Sequence, residues 1–277
     1  VNYLTNSPNY WCPGCGNFAI LNVMKMILDE LKADGVPLET IVIAAGIGQH
    51  AKLADYLNVN SFYALHGRAV AGAEGIKLAN PKLKVIVFVG DGDSYGEGLE
   101  HLLFAAKRNI DLTVVVHDNR VYALTTGQYT PTSPYGFKGR STPGGTHEHP
   151  LNPLELLLAA GATYLARGYS AKVDQLKALI KEAILHPGFA LIDVLQICVT
   201  FFNQYDNYNQ RIYELVGHNH ANFDEACRKI REWNYDDEAK IALGKLYQVT
   251  RPTFEIPVKG GDDNRAEMVK TLLKGMV

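Results

Sequence analysis

Two short groups of residues are the best suited to chemistry. Gly90-Asp91-Gly92-Asp93 closes one apolar, β-branched run, and His117-Asp118-Asn119 closes another. A carboxylate from Asp91, an amide oxygen from Asn119 and a free backbone carbonyl, for instance that of Val121, are hard oxygen ligands. Such a set holds Mg²⁺ on a diphosphate. Glycines at 90 and 92 let backbone N–H groups approach phosphate, and a helix beginning just beyond them offers its N-terminus to the anion. Gly-Asp turns are also common in α/β proteins, and an ordinary βαβ unit would carry them without any ligand.

Cys12-Pro13-Gly14-Cys15 is a third group. Cysteines this close belong to metal and cluster sites, and a buried pair of thiols or a zinc ion would use the same spacing. Zinc wants four nitrogen or sulfur ligands in tetrahedral array, whereas three cysteines and a histidine are on offer. Cys227, far downstream, reads as a buried apolar residue.

These groups need elements to present them. Strands at Lys84–Val89 and Leu112–Val116, joined by a helix over Tyr95–Arg108, form a right-handed crossover that sets both turns on one edge of a parallel sheet. That edge is where open α/β sheets bind ligands. Upstream, the spacing predicts a helix over Asn17–Leu31, stopped by Gly35-Val36-Pro37, and a strand over Thr40–Ala44 ending in Gly46-Ile47-Gly48. A helix over Ala51–Leu57, a strand over Ser61–Leu65 leading to His66-Gly67-Arg68, and a helix over Ala69–Leu78 follow.

Downstream, Tyr129 to Pro150 carries no clear element, a length that usually marks a lid or a partner-covered segment. A helix over Pro153–Ala160, a strand over Thr163–Ala166, a helix from an N-cap at Ser170 to Leu185, and a last strand over Phe189–Leu195 complete the sheet. Beyond Asn203 the composition turns to Asn, Tyr, Gln and charge, with helices expected over Asp224–Glu232 and Arg265–Lys274. The expected fold is α/β, a parallel sheet flanked by helices. Residues 1–203 form the binding unit with its CxxC loop, and 204–277 a C-terminal helical extension.

Composition excludes several classes. The 277 residues carry a formal net charge of −2, with basic residues scattered singly, which speaks against nucleic acid. No apolar run approaches the ~20 residues that span a bilayer. VNYLTNSPNYW has neither a charged lead nor an apolar core, so the reading is a soluble, cytoplasmic chain without a secretory signal. Four cysteines are too few for a disulfide scaffold.

GDG at 90–92 followed by DN at 118–119 resembles the thiamine diphosphate motif. With HGRAVAGAEGIKLANP, ALTTGQYTPTSP, WCPGCGNFAI and CVTFFN in order, about Pro8 to Asn203 resembles the β subunit of 2-oxoacid:ferredoxin oxidoreductases. The resemblance implies a thiamine diphosphate-binding fold, its diphosphate-binding half, with Mg²⁺ on Asp91, Asn119 and the Val121 carbonyl. It implies Gly90, Gly92 and Asp93 at the cofactor and Ile47 and Gly48 against the thiazolium. His66 is then a catalytic hydrogen-bonding group, Lys52 a charge for the substrate carboxylate, Leu124 a pocket wall and Thr125 a diphosphate donor.

The resemblance further implies a [4Fe–4S] cluster on Cys12, Cys15 and Cys198. Where the family has a fourth cysteine, this sequence has Gln49. The cluster then uses another ligand such as His50, is a three-cysteine or labile centre, or is absent. The implied activity is coenzyme A-dependent oxidative decarboxylation of a 2-oxoacid, pyruvate or 2-oxoglutarate, with electrons passed to ferredoxin. One cofactor unit is present, so an α subunit with the pyrimidine-binding domain and its catalytic Glu is expected in a hetero-oligomer. Gln49 keeps open a non-redox thiamine decarboxylase or acyl transferase. A regulatory subunit with a vestigial pocket is countered by the intact GDGD, DN and LTTGQ.

Overall fold

A computed structural model describes residues 3–236 and 238–254. The chain order is α1 (Asn17–Ala33), β1 (Ile41–Ala45), α2 (Leu53–Tyr56), β2 (Asn60–Tyr63), α3 (Ala69–Ala79), β3 (Lys84–Gly90), α4 (Leu99–Arg108), β4 (Thr113–Asp118), α5 (Pro153–Ala160), β5 (Tyr164–Tyr169), α6 (Val173–Leu185), β6 (Ala190–Leu195), α7 (Tyr205–Arg211), β7 (Ile212–Glu214), α8 (Phe223–Arg231) and β8 (Ile241–Gln248). The described residues form one eight-stranded sheet in the order β2-β1-β3-β4-β6-β5-β8-β7.

From β2 through β5 every pairing is parallel. The central strands are buried on both faces, which their β-branched runs require. α1 and α6 pack on one face, and α3, α4, α5 and α8 on the other, each side with its own apolar cluster. The chain leaves β1 first for β2 on one side and then for β3 on the other. That reversal between β1 and β3 is a topological switch point, where a crevice opens at the carboxyl ends.

Three expectations are corrected. β6 is not the last strand: it lies between β4 and β5, and the segment after Asn203 adds β8, antiparallel to β5, and then β7. That segment is therefore not only helical, although α8 falls where a helix was expected. Ser170 does not cap α6. β5 runs on to Tyr169, the Ser170 N–H still reaches the Leu195 carbonyl at 3.1 Å, and the helix starts at Val173 without a side-chain cap. The helix after β3 does not begin smoothly either. A π-helical turn, Gly92–Glu97, precedes α4, and the His66-Gly67 turn packs closely against it; a Cβ on Gly67 would meet Glu97 Cβ at 2.6 Å. Residues 129–150 hold no regular helix or strand, and the helix expected over Arg265–Lys274 lies outside the described residues.

Candidate active site

The carboxyl ends of β1, β3 and β4 meet around one narrow cavity. Its lining includes Ile47, Gly48, His66, Gly90, Asp91, Gly92, Asp93, Asn119, Val121, Leu124 and Thr125. The register brings the ends together: Gly90 of β3 pairs with His117 of β4, and the Gly46 N–H binds the Phe88 carbonyl at 3.0 Å. Glycine is demanded here by close approach. A Cβ on Gly46 would lie 1.6 Å from Asp93 Oδ2, and one on Gly92 would lie 2.1 Å from the Tyr122 ring.

Asp91 is buried, and its Oδ2 accepts a hydrogen bond from the Thr132 hydroxyl at 2.9 Å. Burial pushes its carboxyl up to about 6, against the pull of the threonine hydroxyls at 130 and 132. Asn119 Oδ1 accepts from the Val121 N–H at 3.1 Å, which shapes the turn into a loop. Asp93 Oδ1 accepts from the Gly67 N–H at 2.6 Å, while its Oδ2 stands 3.4 Å from His50 Nε2. His66 Nδ1 lies 3.1 Å from Glu97 Oε2 and 3.7 Å from Asp93 Oδ1. Thr125 gives its hydroxyl to Gln128 at 2.6 Å, and Leu124 stays half exposed at the cavity wall.

Two buried oxygens at or beside the cavity, Gln49 Oε1 and Asp118 Oδ2, have no hydrogen-bond partner among the described residues, whereas Asp93 Oδ2 has the His50 ring nitrogen beside it. Acceptors without donors suit a cation. No three His, Cys, Asp or Glu side chains among the described residues gather closely enough for one metal ion. A site of one carboxylate, one amide and one carbonyl, completed by phosphate oxygens, needs no such group.

Lys52 does not reach the cavity. Its ammonium is held by Asp55 at 2.9 Å, three residues on, and its side chain is 40% exposed. His50, by contrast, sits under the site: its ring fills the space that side chains at Gly48 and Gly90 would occupy. The sequence offered only its position beside the GIG turn as a signal. Tyr122 and Thr132 were also missed, since an aromatic and a threonine in Pro/Thr/Ser-rich loops carry no distinctive spacing.

A second cavity adjoins the first and shares Gln49, Asn119 and Ala123 with it. Cys12, Cys15, Cys198 and Gln49 all line it. Trp11 Nε1 donates to the Gln49 carbonyl at 2.8 Å, and Thr200 Oγ1 lies 3.3 Å from Cys12 Sγ. His50 is absent from this lining and faces the first cavity. Cys227 packs against the core instead. His218, whose ring faces Glu225 and the Leu246 carbonyl, and His149, paired with Asp236 at 2.9 Å, serve local contacts.

The thiols differ in burial. Burial pushes Cys15 up to about 11, so its thiolate fraction at pH 8 falls roughly a hundredfold below that of a free cysteine. Cys12 is exposed. In the cluster-free protein, iodoacetamide is expected to modify Cys12 well before Cys15 in time-resolved peptide mapping; equal rates would contradict the burial.

Comparison with known proteins gives this geometry a lineage. Residues 43–194 match the family model "Thiamine pyrophosphate enzyme, C-terminal TPP binding domain", and 198–261 match the family model for the C-terminal part of the pyruvate ferredoxin oxidoreductase beta subunit. The β subunit of 2-oxoacid:ferredoxin oxidoreductase 1 from Aeropyrum pernix is 44% identical over 247 residues, 88% of this chain and 75% of that one. The chain belongs to the family of 2-oxoacid:ferredoxin oxidoreductase β subunits. Within this family, the 2-oxoglutarate synthase subunit KorB of Methanothermobacter marburgensis is 36% identical over 88% of this chain and 85% of its own. A solved structure, 2-oxoglutarate:ferredoxin oxidoreductase from Magnetococcus marinus with 2-oxoglutarate, coenzyme A and succinyl-CoA bound, superposes with a TM-score of 0.86. It is 34% identical and covers 98% of this chain and 89% of that one. The oxidoreductase β-subunit family thus accounts for both the cavity and the segment beyond Asn203. No helix among the described residues is long and apolar enough to cross a membrane.

Proposed function

We propose that this β subunit holds the diphosphate end of thiamine diphosphate and works in coenzyme A-dependent oxidative decarboxylation of a 2-oxoacid of the pyruvate or 2-oxoglutarate type. Residues 1–203 form the cofactor-binding unit and 204–277 the extension. Asp91, Asn119 and the Val121 carbonyl hold Mg²⁺; the turn at Gly90, Gly92 and Asp93 admits the diphosphate. Ile47 and Gly48 take the thiazolium side, and Leu124 and Thr125 close the wall. The bound cofactor supplies a nucleophilic carbanion and an electron sink.

His66, tied to Glu97, holds or passes a proton at Nδ1 beside the reacting centre. Lys52 would have to leave Asp55 to meet a substrate carboxylate. Cys12, Cys15 and Cys198, which line one cavity, would hold an iron–sulfur centre, and such a centre would supply one-electron transfer toward ferredoxin. The site is made whole by an α subunit with its pyrimidine-binding domain and catalytic Glu, in a cytoplasmic hetero-oligomer.

One observation carries this reading: the cysteine-lined cavity and the Asp91/Asn119 cavity share the wall Gln49, Asn119 and Ala123. An electron acceptor there sits beside the place where electrons are released. A glutamine at the fourth ligand position favours a second reading, a non-redox decarboxylase or acyl transferase. The anaerobically prepared αβ complex decides between them. Ferredoxin reduction by 2-oxoacid that strictly requires coenzyme A is the expected result; aldehyde release without reduction would establish the second reading.

A further inference from the structure

The Thr132 hydroxyl stands 2.9 Å from Asp91 Oδ2 and 2.9 Å from Asp118 Oδ1, fully buried between two strand ends. Its own carbonyl accepts from Arg120 Nε at 2.7 Å. Arg120 follows Asn119 directly, in the left-handed region at φ 61°, and its N–H returns to Asp118 Oδ1 at 3.1 Å. A non-glycine residue keeps that conformation only where its surroundings fix it.

What fixes it comes from far along the chain. The guanidinium donates through Nη2 to the Tyr235 carbonyl and lies 5.4 Å from the Trp233 ring and 5.9 Å from that of Tyr235. Trp233 and Tyr235 are stacked, with centroids 4.2 Å apart, and also cover the buried Arg167. The Tyr235 hydroxyl donates to Asp193 Oδ2 at 2.6 Å. Arg120 is thus a planar fork between the loop that supports Asp91 and the aromatic pair beyond Asn203.

We propose that Thr132 and Arg120 are positioning residues for the metal site, and that the stacked Trp233 and Tyr235 brace it from the far side. This rests on the assignment of Asp91 and Asn119 to Mg²⁺. Thr132 aims the Asp91 carboxylate; Arg120 sets the turn that presents Asn119. The segment beyond Asn203 is then part of the cofactor site without lining it.

The test uses the αβ complex stripped of cofactor, titrated with Mg²⁺ at fixed thiamine diphosphate, with binding followed calorimetrically and the melting temperature of the stripped complex as a check on folding. Thr132→Val, which keeps shape and loses the hydroxyl, is expected to raise the Mg²⁺ half-saturation by about tenfold, and Thr132→Ser to restore it to within about twofold. Arg120→Lys, which keeps charge and loses the fork, is expected to raise it by a similar factor. The double variant Thr132→Val/Arg120→Lys is expected to be no worse than the weaker-binding single variant, since both act through one path.

Trp233→Leu is expected to shift half-saturation in the same direction, without touching the cavity. Wild-type half-saturation in Thr132→Val, or failure of Thr132→Ser to restore binding, would overturn the positioning role. Multiplied effects in the double variant would overturn the shared path. Asp91→Ala separates the two levels. If it binds Mg²⁺ and thiamine diphosphate like wild type, the site assignment itself fails and this proposal with it. If it alone loses binding, only the positioning proposal fails.

Discussion

Asp91→Ala is expected to abolish thiamine diphosphate retention and to cut 2-oxoacid-dependent ferredoxin reduction by on the order of a thousandfold or more. In the proposed site the cation would have one side-chain carboxylate, that of Asp91, with neutral oxygens from Asn119 and Val121. Removing the charge leaves a buried cavity in which diphosphate charge is not neutralised, and a Thr132 hydroxyl deprived of one acceptor. Asp91→Asn keeps an acceptor for Thr132 and removes only the charge, so it is expected to fold like wild type and still lose the cation. The same carboxyl sets a pH limit. Burial raises it to about 6, so protons compete with Mg²⁺ for it, and metal affinity is expected to fall as pH drops below that value. Thiamine content after gel filtration and a Mg²⁺ titration across pH 5 to 8 measure both effects; an Asp91→Ala complex that retains its thiamine would remove Asp91 from the site.

Gln49→Cys is the second large effect expected. Position 49 lines the cysteine cavity, its carbonyl is pinned by Trp11 Nε1 at 2.8 Å, and its side-chain oxygen is buried without a partner. On the proposed cluster site, a thiol placed there would add a fourth thiolate to Cys12, Cys15 and Cys198, which line the same cavity. The iron content of anaerobically reconstituted protein is expected to rise to about four per chain, and the lifetime of the cluster absorbance in air to lengthen by about tenfold. Unchanged iron content and lifetime would show that position 49 does not face the cluster. A rise in iron that leaves ferredoxin reduction unchanged would place the natural centre among labile but working clusters.

The sheet centre was legible because Val85–Val89 and Val114–Val116 are short β-branched runs, too short for a helix and apolar on both faces as a doubly buried parallel strand requires. That Asp91 and Asn119 meet at one cavity was legible for a different reason: each follows a buried strand directly, and neighbouring parallel strands bring their carboxyl ends together. The rest hid behind polar residues that burial conceals. Arg167 and Gly168 read as the end of a strand, yet Arg167 is wholly buried beside Asp193 and β5 continues through both. β8 reads IALGKLYQ, with Gly244 and Lys245 interrupting its alternation, and its partner β5 is too distant in sequence to suggest the pairing. Thr132 sits in an irregular loop whose conformation is set by its contacts and by no local periodicity. Lys52 shows a further limit: a family position suggests a substrate contact, while in the structure its ammonium pairs with Asp55 three residues on, a local partner that the sequence also offers.

The antiparallel strand β8 has a consequence for the order of events during synthesis. It seals β5 and leads on to β7, yet it is among the last described parts of the chain to leave the ribosome. While the first strands can pair as they emerge, β5 waits with an open edge until residues 241–248 arrive. Nascent chains arrested before that point are therefore expected to depend on chaperones.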